Sequence, residues 1–301
     1  MIICDSHTHS SFSFDAEVPM EDMVKGAVKK NINVITFTDH CDVIGIYDEK
    51  KFESVLEEEI PKSVAESKRL KEVYSDKIKV LTGVELGEPT HSPEKTKVAL
   101  GLGDYDFILA STHEVRGRED FYFLEYNESN IDTLLTEYFN EQLEVVKWNG
   151  FDSLAHFDYL ARYIAERTDI KLDYSKYNNV IDEILSTLIK NNKALEINTS
   201  TISKPLSRPM PNKNILKRYK ELGGYLITLG SDAHTVEALS QDFDKAFESL
   251  EEFEVDDENL EDLMEDAESQ NDVEETAVEP GVEQNEPEVD EVSVEIEPEI
   301  E

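Results

Sequence analysis

Met1-Ile2-Ile3-Cys4-Asp5-Ser6-His7-Thr8-His9 opens the chain, and its reading decides the fold. A short apolar run ends in His-x-His. In a strand, residues i and i+2 point the same way, so His7 and His9 can face one metal ion. A helix would set them about 200° apart. The polar sequel Ser10-Ser11-Phe12-Ser13-Phe14-Asp15 reads as a loop, and Asp15 could bring a carboxylate back over the same spot. The first strand is therefore expected to end at a site.

Working outward, short apolar strands alternate with amphipathic helices, the pattern of a parallel sheet covered by helices. Strands are predicted at 1–6, 33–38, 78–85, 107–112, 153–156, 194–198 and 225–230. Helices are predicted near 20–30, 49–74 with a restart at Pro61, 93–102, 131–148, 177–191, 212–222 and 238–251. Pro61 suits a first helical turn, and Gly223-Gly224 a helix C-cap. Seven β/α units are one fewer than the standard barrel. The expected fold is a distorted (β/α)7 TIM-like barrel, since about 250 residues is the usual length of such a domain.

Residues 252–301 are set apart by composition. They carry 23 Asp or Glu and no Lys or Arg, with one aromatic residue and no apolar period. Such a segment cannot bury enough surface to offset the entropy of ordering. It is expected to be an acidic disordered tail after a domain spanning 1–251. The preceding 251 residues then hold 45 of the 68 acids against all 29 bases, a net charge of −16. A body this acidic argues against a nucleic-acid backbone as partner. The two cysteines, Cys4 and Cys41, lie far apart without zinc spacing. A reduced, cytoplasmic protein is expected. No basic n-region precedes the first strand, so no secretory leader is expected. No apolar run approaches the roughly 18 residues of a membrane span.

The histidines fall in a pattern. His7 and His9, His40, His113, His156 and His234 all sit at carboxyl ends of predicted strands, six of the seven in the chain. Glu85 ends strand three, and Asp232 follows strand seven. Barrel enzymes build their sites on that face. Nitrogen and oxygen ligands gathered there point to a shared metal centre. His91, beside a predicted helix start, is expected in a surface loop. Cys41 is expected as a half-buried thiol, and Trp148 with Phe121, Tyr122 and Phe123 as packing residues, the last three in a loop bordering the site.

These motifs carry a family resemblance. His7-Thr8-His9, Thr38-Asp39-His40, Gly83-Val84-Glu85, Ser111-Thr112-His113, His156-Phe157-Asp158 and Gly230-Ser231-Asp232-Ala233-His234 resemble, in order and spacing, the PHP (polymerase and histidinol phosphatase) superfamily. Ala194-Leu195-Glu196-Ile197-Asn198-Thr199-Ser200 and the run 215–224 resemble its histidinol-phosphatase branch. The likeness covers about residues 1–250. It implies a distorted (β/α)7 barrel with three divalent metal ions, zinc, manganese or iron. His7, His9, Glu85 and Asp232 would hold the first. Glu85 would bridge to the second, completed by His113 and His156. Asp15, His40 and His234 would hold the third.

Two ions roughly 3.5–4 Å apart can hold a hydroxide for in-line attack on phosphorus and neutralise the phosphoryl oxygens. His234, Asp232 and His40 are the candidates for proton handling, with Asp39 as an outer carboxylate orienting His40 or a neighbour. A phosphomonoester also needs cations, preferably Arg. Arg162 stands where the family places a basic phosphate contact, and Arg116 could close over the substrate from the loop 114–126. Histidinol phosphatases commonly carry Arg where this chain has Ser203; Lys204 or Arg208 could supply that charge. The expected activity is hydrolysis of L-histidinol phosphate in histidine biosynthesis. Alternatives are the same hydrolase on another small ester or phosphotyrosine, a polymerase-associated 3′ nuclease, and a metal-bound scaffold using the acidic tail.

Overall fold

The computed structural model describes residues 2–43 and 53–251. The predicted tail at 252–301 lies outside them, as does the start of the predicted helix at 49–52. No helix among the described residues is long and apolar enough to cross a membrane.

The strands are β1 (Cys4–Thr8), β2 (Val34–Phe37), β3 (His40–Asp42), β4 (Lys79–Gly87), β5 (Phe107–Ser111), β6 (Ser153–Leu154), β7 (Ala194–Asn198) and β8 (Ile227–Gly230). Every pairing between these strands is parallel, in the order β1-β2-β4-β5-β6-β7-β8, with β3 running on along β4. β2 pairs with Lys79–Thr82 and β3 with Glu85–Gly87, so the two are one strand interrupted at Thr38-Asp39. Seven strand positions result, as predicted. The ring nearly closes between β1 and the segment after β8. Asp232 N–H donates to the His7 carbonyl at 2.9 Å, and His9 N–H to the Ala233 carbonyl at 2.9 Å. The protein is a distorted, seven-position α/β barrel.

Helices α1 (Met20–Lys29), α2 (Ile60–Val73), α3 (Pro93–Leu100), α4 (Ile131–Trp148), α5 (Leu160–Arg167), α6 (Asn178–Lys190), α7 (Lys213–Glu221) and α8 (Phe243–Glu251) lie outside the strands. A π-helical turn at Val55–Glu59 leads into α2, whose first turn holds Pro61. Gly223, at φ 91°, closes α7: its N–H reaches the Lys220 carbonyl, and that of Gly224 the Tyr219 carbonyl. This is the double-bonded glycine C-cap. The short helix α5 is an element the sequence pattern did not separate from its flanks.

The largest apolar cluster fills the space between β5–β7 and helices α4, α6 and α7, with Leu135, Phe139, Leu154, Leu185, Leu188 and Ile197 among its members. Each such side chain contributes about 1.5–3 kcal/mol by burial. That packing fixes the strand ends on which the polar residues stand.

Candidate metal centre and substrate cavity

The strand periodicity holds at β1. His7 and His9 are fully buried, and their Nε2 atoms lie 3.1 Å apart. β4 extends two residues past the predicted end and carries Glu85 between β3 and β5, opposite His40 and Leu109. Its two carboxylate oxygens divide the site. Oε2 lies 3.3 Å from His7 Nε2, 3.5 Å from His9 Nε2 and 2.9 Å from His40 Nδ1. Oε1 lies 3.3 Å from His113 Nε2 and 3.0 Å from His156 Nε2. Asp232 Oδ1 stands 3.6 and 3.4 Å from the Nε2 atoms of His7 and His9. On the outer side, His234 Nε2 is 3.0 Å from Asp15 Oδ2, and His40 Nε2 is 3.7 Å from Asp15 Oδ1.

These separations fit metal coordination. Donors held about 2.0–2.2 Å from one ion, in tetrahedral or octahedral geometry, stand roughly 2.8–3.6 Å from each other. Ligand atoms gather within 4.8 Å in the sets His7–His9–Glu85, Glu85–His113–His156 and His9–His40–His234. The third set has His9 where Asp15 was expected, and a fourth, His40–Asp42–His113, was not anticipated at all. Glu85 Oε2, His40 Nδ1 and His234 Nε2 are buried, and although Oε2 approaches Nδ1 and Nε2 approaches Asp15, none of the three is in hydrogen-bonding geometry among the described residues. A buried carboxylate oxygen left so is costly unless a cation serves it. The donor set therefore fits divalent metals.

The electrostatics agree. Burial would raise the Glu85 carboxyl, but His7, His40 and His113 outweigh it and hold it well below the ordinary range. Burial likewise opposes ionisation of Asp232, and His7, His9 and His234 overcome it. Burial, then His234 and His40, hold the His9 imidazolium down to about 3, and burial lowers His156. His7 goes the other way: burial lowers it, but Glu196, Glu85 and Asp232 push it well up. Burial opposes His40 and His113 too, but Glu85 pushes His40 well up, and Asp42 and Glu85 push His113 well up. The carboxylates are thus balanced by imidazole protons, and a divalent ion would take the place of those protons.

A second layer holds these candidate ligands. Asp39 accepts from Ser10 N–H and from the hydroxyls of Ser10, Ser13 and Ser63. Ser13 Oγ in turn meets His9 Nδ1 at 3.0 Å and accepts from His40 N–H at 3.1 Å. Asp39 thus acts through Ser13, chiefly on His9. Asp42 Oδ1 lies 3.3 Å from His113 Nδ1. Asp5 accepts from Ser231 N–H and Oγ and from Ser240 N–H, fixing the loop that carries Asp232.

Above the ligands opens a cavity of about 640 Å³ lined by Asp15, His40, Glu85, His113, His156, Asp232 and His234. Arg162 and Lys204 line it too. Arg162 lies over the rings of Tyr159 and Tyr163, 5.1 and 5.2 Å from their centroids, and its buried Nε has no hydrogen-bond partner among the described residues. Burial and the nearby Arg162 lower the Lys204 ammonium. The other two expected cations are elsewhere. Arg208 donates to Asp158 Oδ2 at 2.7 Å and to Tyr174 Oη at 3.2 Å. Arg116 donates to the Thr90 carbonyl at 3.1 Å. Neither lines the cavity, because a nearer acceptor holds each guanidinium. Ser203 donates to Asp242 instead of facing the cavity.

Phe121 is buried, while Tyr122 and Phe123, 58% and 60% exposed, line the cavity mouth with Phe14 and Asp120. The loop borders the site as expected, but packing roles were expected at all three positions of 121–123; a three-residue helical turn capped by Asp120 turns the last two outward. His91 is not a surface residue: its side chain is 2% exposed, with Nε2 3.0 Å from Glu141. Cys4 and Cys41 are free thiols, Cys41 fully buried rather than half-buried because it stands on β3 inside an apolar cluster.

Comparison with known proteins settles the family. Residues 5–200 match the PHP domain. The chain belongs to the PHP family. Among curated PHP relatives, the probable histidinol-phosphatase of Clostridium acetobutylicum is 31% identical over 253 residues, 83% of this chain and 93% of that protein. The histidinol-phosphatase of Lactococcus lactis is 32% identical over 232 residues, 76% and 83% of the two chains. The solved histidinol phosphate phosphatase of Lactococcus lactis, complexed with zinc, L-histidinol and phosphate, has a TM-score of 0.69 at 28% identity. It covers 83% of this chain and 93% of that one. This PHP protein stands in the histidinol-phosphatase branch and is an enzyme of its phosphoric monoester hydrolase class.

Proposed function

We propose that the chain hydrolyses L-histidinol phosphate to L-histidinol and phosphate at a centre of three divalent ions. The observation that carries the reading is Glu85, whose two oxygens face two separate imidazole sets. His7, His9, Glu85 and Asp232 would hold one ion, Glu85, His113 and His156 a second, and Asp15, His40 and His234 a third. Bound there, divalent ions lower the pKa of water and neutralise developing phosphoryl charge. The residues do the rest. Arg162, stacked on two tyrosines, presents its guanidinium to the phosphate oxygens, with Lys204 as a second cation. Asp232 stays ionised, would accept the proton of the attacking water and would pass it to the leaving alkoxide oxygen as the P–O bond breaks. His234 Nδ1 lies 2.9 Å from the Asp232 carbonyl and so carries a proton, leaving Nε2 toward Asp15 and the cavity. His40 completes the cavity-facing set of groups placed for proton handling.

The mouth supports the leaving group. Exposed Phe14, Tyr122 and Phe123 offer planar faces to an imidazole ring, and Asp120 a carboxylate to its ammonium. The relatives named above act on or bind that compound or its product, which favours it over phosphotyrosine. The test is metal content per chain, with kcat/KM for histidinol phosphate, p-nitrophenyl phosphate and phosphotyrosine side by side. Preference for the first is expected; equal turnover of all three overturns the substrate assignment.

A further inference from the structure

Glu196 is an ionisable residue set between Leu195 and Ile197 in the buried strand β7, and it is 0% exposed. A carboxylate in a parallel barrel strand needs partners for every lone pair it presents. It finds them across the barrel. Oε1 lies 2.7 Å from His7 Nδ1 on β1. Oε2 accepts from the His156 backbone N–H at 2.7 Å and from Asn198 Nδ2 at 3.2 Å. The bond to His156 is unusual in kind. Ala155 N–H still donates to the Ala110 carbonyl of β5. At the next residue the ladder stops, and a side chain takes the amide. His156 has φ 22°, a conformation L residues rarely adopt. Glu196 thus contacts one ligand of the first proposed ion and the backbone of a ligand of the second.

The surroundings are cut to admit it. A Cβ at Gly230 would lie 2.1 Å from Glu196 Oε1 and 2.5 Å from His7 Cβ. Any residue but glycine there would push the carboxylate off the imidazole. All the donors around Glu196 require acceptance from both oxygens. His7 Nδ1 therefore carries its proton, and the Nε2 lone pair turns toward Glu85, His9 and Asp232.

We propose that Glu196 is a positioning residue that couples two of the metal sites, fixing the tautomer of His7 and the left-handed backbone of His156 with one carboxylate. This rests on the metal centre proposed above but not on its substrate. Asp15, His40 and His234 do not contact Glu196, so the third site should be indifferent to it. Outer partners of metal-bound histidines typically tune affinity by about 10–100-fold.

Glu196→Gln is the decisive variant. An amide of the same shape can accept on one side only, so it fails either His7 Nδ1–H or His156 N–H. Zinc titration of the full chain against a competing chelator reads the result without substrate. Two of the three zinc sites should weaken by about 10–100-fold, the third remaining at the wild-type value, with a cooperative melt retained. At saturating zinc, kcat on histidinol phosphate should fall with KM little changed. Wild-type affinity at all three sites overturns the proposal, and so does uniform weakening of all three, which marks a general packing role. If the variant does not fold, the wild-type zinc-loaded protein decides. Its His7 should show an Nδ1-protonated tautomer in long-range ¹H–¹⁵N NMR, and an Nε2-protonated His7 overturns the proposal. Failure of the substrate reading would appear separately, as three intact zinc sites without turnover of histidinol phosphate.

Discussion

At the floor of the cavity most of the proposed ligands have a second contact behind them, whereas along its wall the proposed phosphate-facing cations are held by stacking or, among the described residues, by no ion pair. His7 is backed by Glu196, His9 by Ser13 and Asp39, His113 by Asp42, and Asp232 by a loop that Asp5 pins. Arg162 rests on two tyrosine rings with an unpaired Nε, and Lys204 has no ion pair among the described residues. The difference follows from the task. Metal ligands must keep positions to a fraction of an ångström, which takes supporting hydrogen bonds. Groups that meet a phosphate must stay available, since a guanidinium already neutralised by a carboxylate has little left to offer. Arg208 marks the boundary, for it lies in the same loop as Lys204 and is claimed by buried Asp158.

The comparison breaks most visibly at Glu85. Glu85→Gln removes the one charge shared by two ligand sets. Activity should fall on the order of 10³-fold, with lower bound metal read by elemental analysis. A chelator should do the same to the wild type, and added divalent metal should restore it. On the wall, Arg162→Ala should lower kcat/KM on the order of 10²-fold while metal content is unchanged. Metal loss in that variant would mean the wall also supports the floor. Lys204→Ala should cost about tenfold, diminishing as salt rises, since this ammonium contributes chiefly charge. The smallest effects sharpen the boundary. Arg116→Ala should leave kcat/KM within about twofold, because its guanidinium lies on an exposed carbonyl. Arg208→Ala should also leave phosphate handling near wild type but lower thermal stability by about 3 kcal/mol, since it strands the buried Asp158 carboxylate. A phosphate-binding defect in Arg208→Ala at full stability would return that residue to the site.

Much of the site was legible because its information is local. His7 and His9 stand two apart in a strand, and period two decides their common side whatever they pack against. The apolar runs that end in Glu85, His113 and His156 announce strand ends, and in a parallel barrel those ends share one face. Other features left weaker signals. Glu196, a charge between apolar neighbours in a buried strand, could have been flagged as needing a partner, although its sequence does not say which. Asp42 sits two residues from His40 on the interrupted strand, and nothing local shows that β3 resumes after Thr38-Asp39. His91 looked like a loop residue because its neighbours are polar and turn-forming; its burial depends on α4, fifty residues later, bringing Glu141 to it.

From the chain alone come the alternation of strand and helix, the count of seven strand positions and the identity of the ligand-bearing ends. Each is a periodicity or a terminus, set by backbone geometry within a few residues. The allocation of partners came only with folding. Arg162, Arg116, Lys204 and Arg208 are all cations as text, and only Arg162 is set apart there, by its place in the family's motif. Which stay free for a phosphate depends on acceptors up to 50 residues away that packing delivers to some and withholds from others. A charge is a property of a residue, but its availability is a property of the neighbours that desolvate or neutralise it.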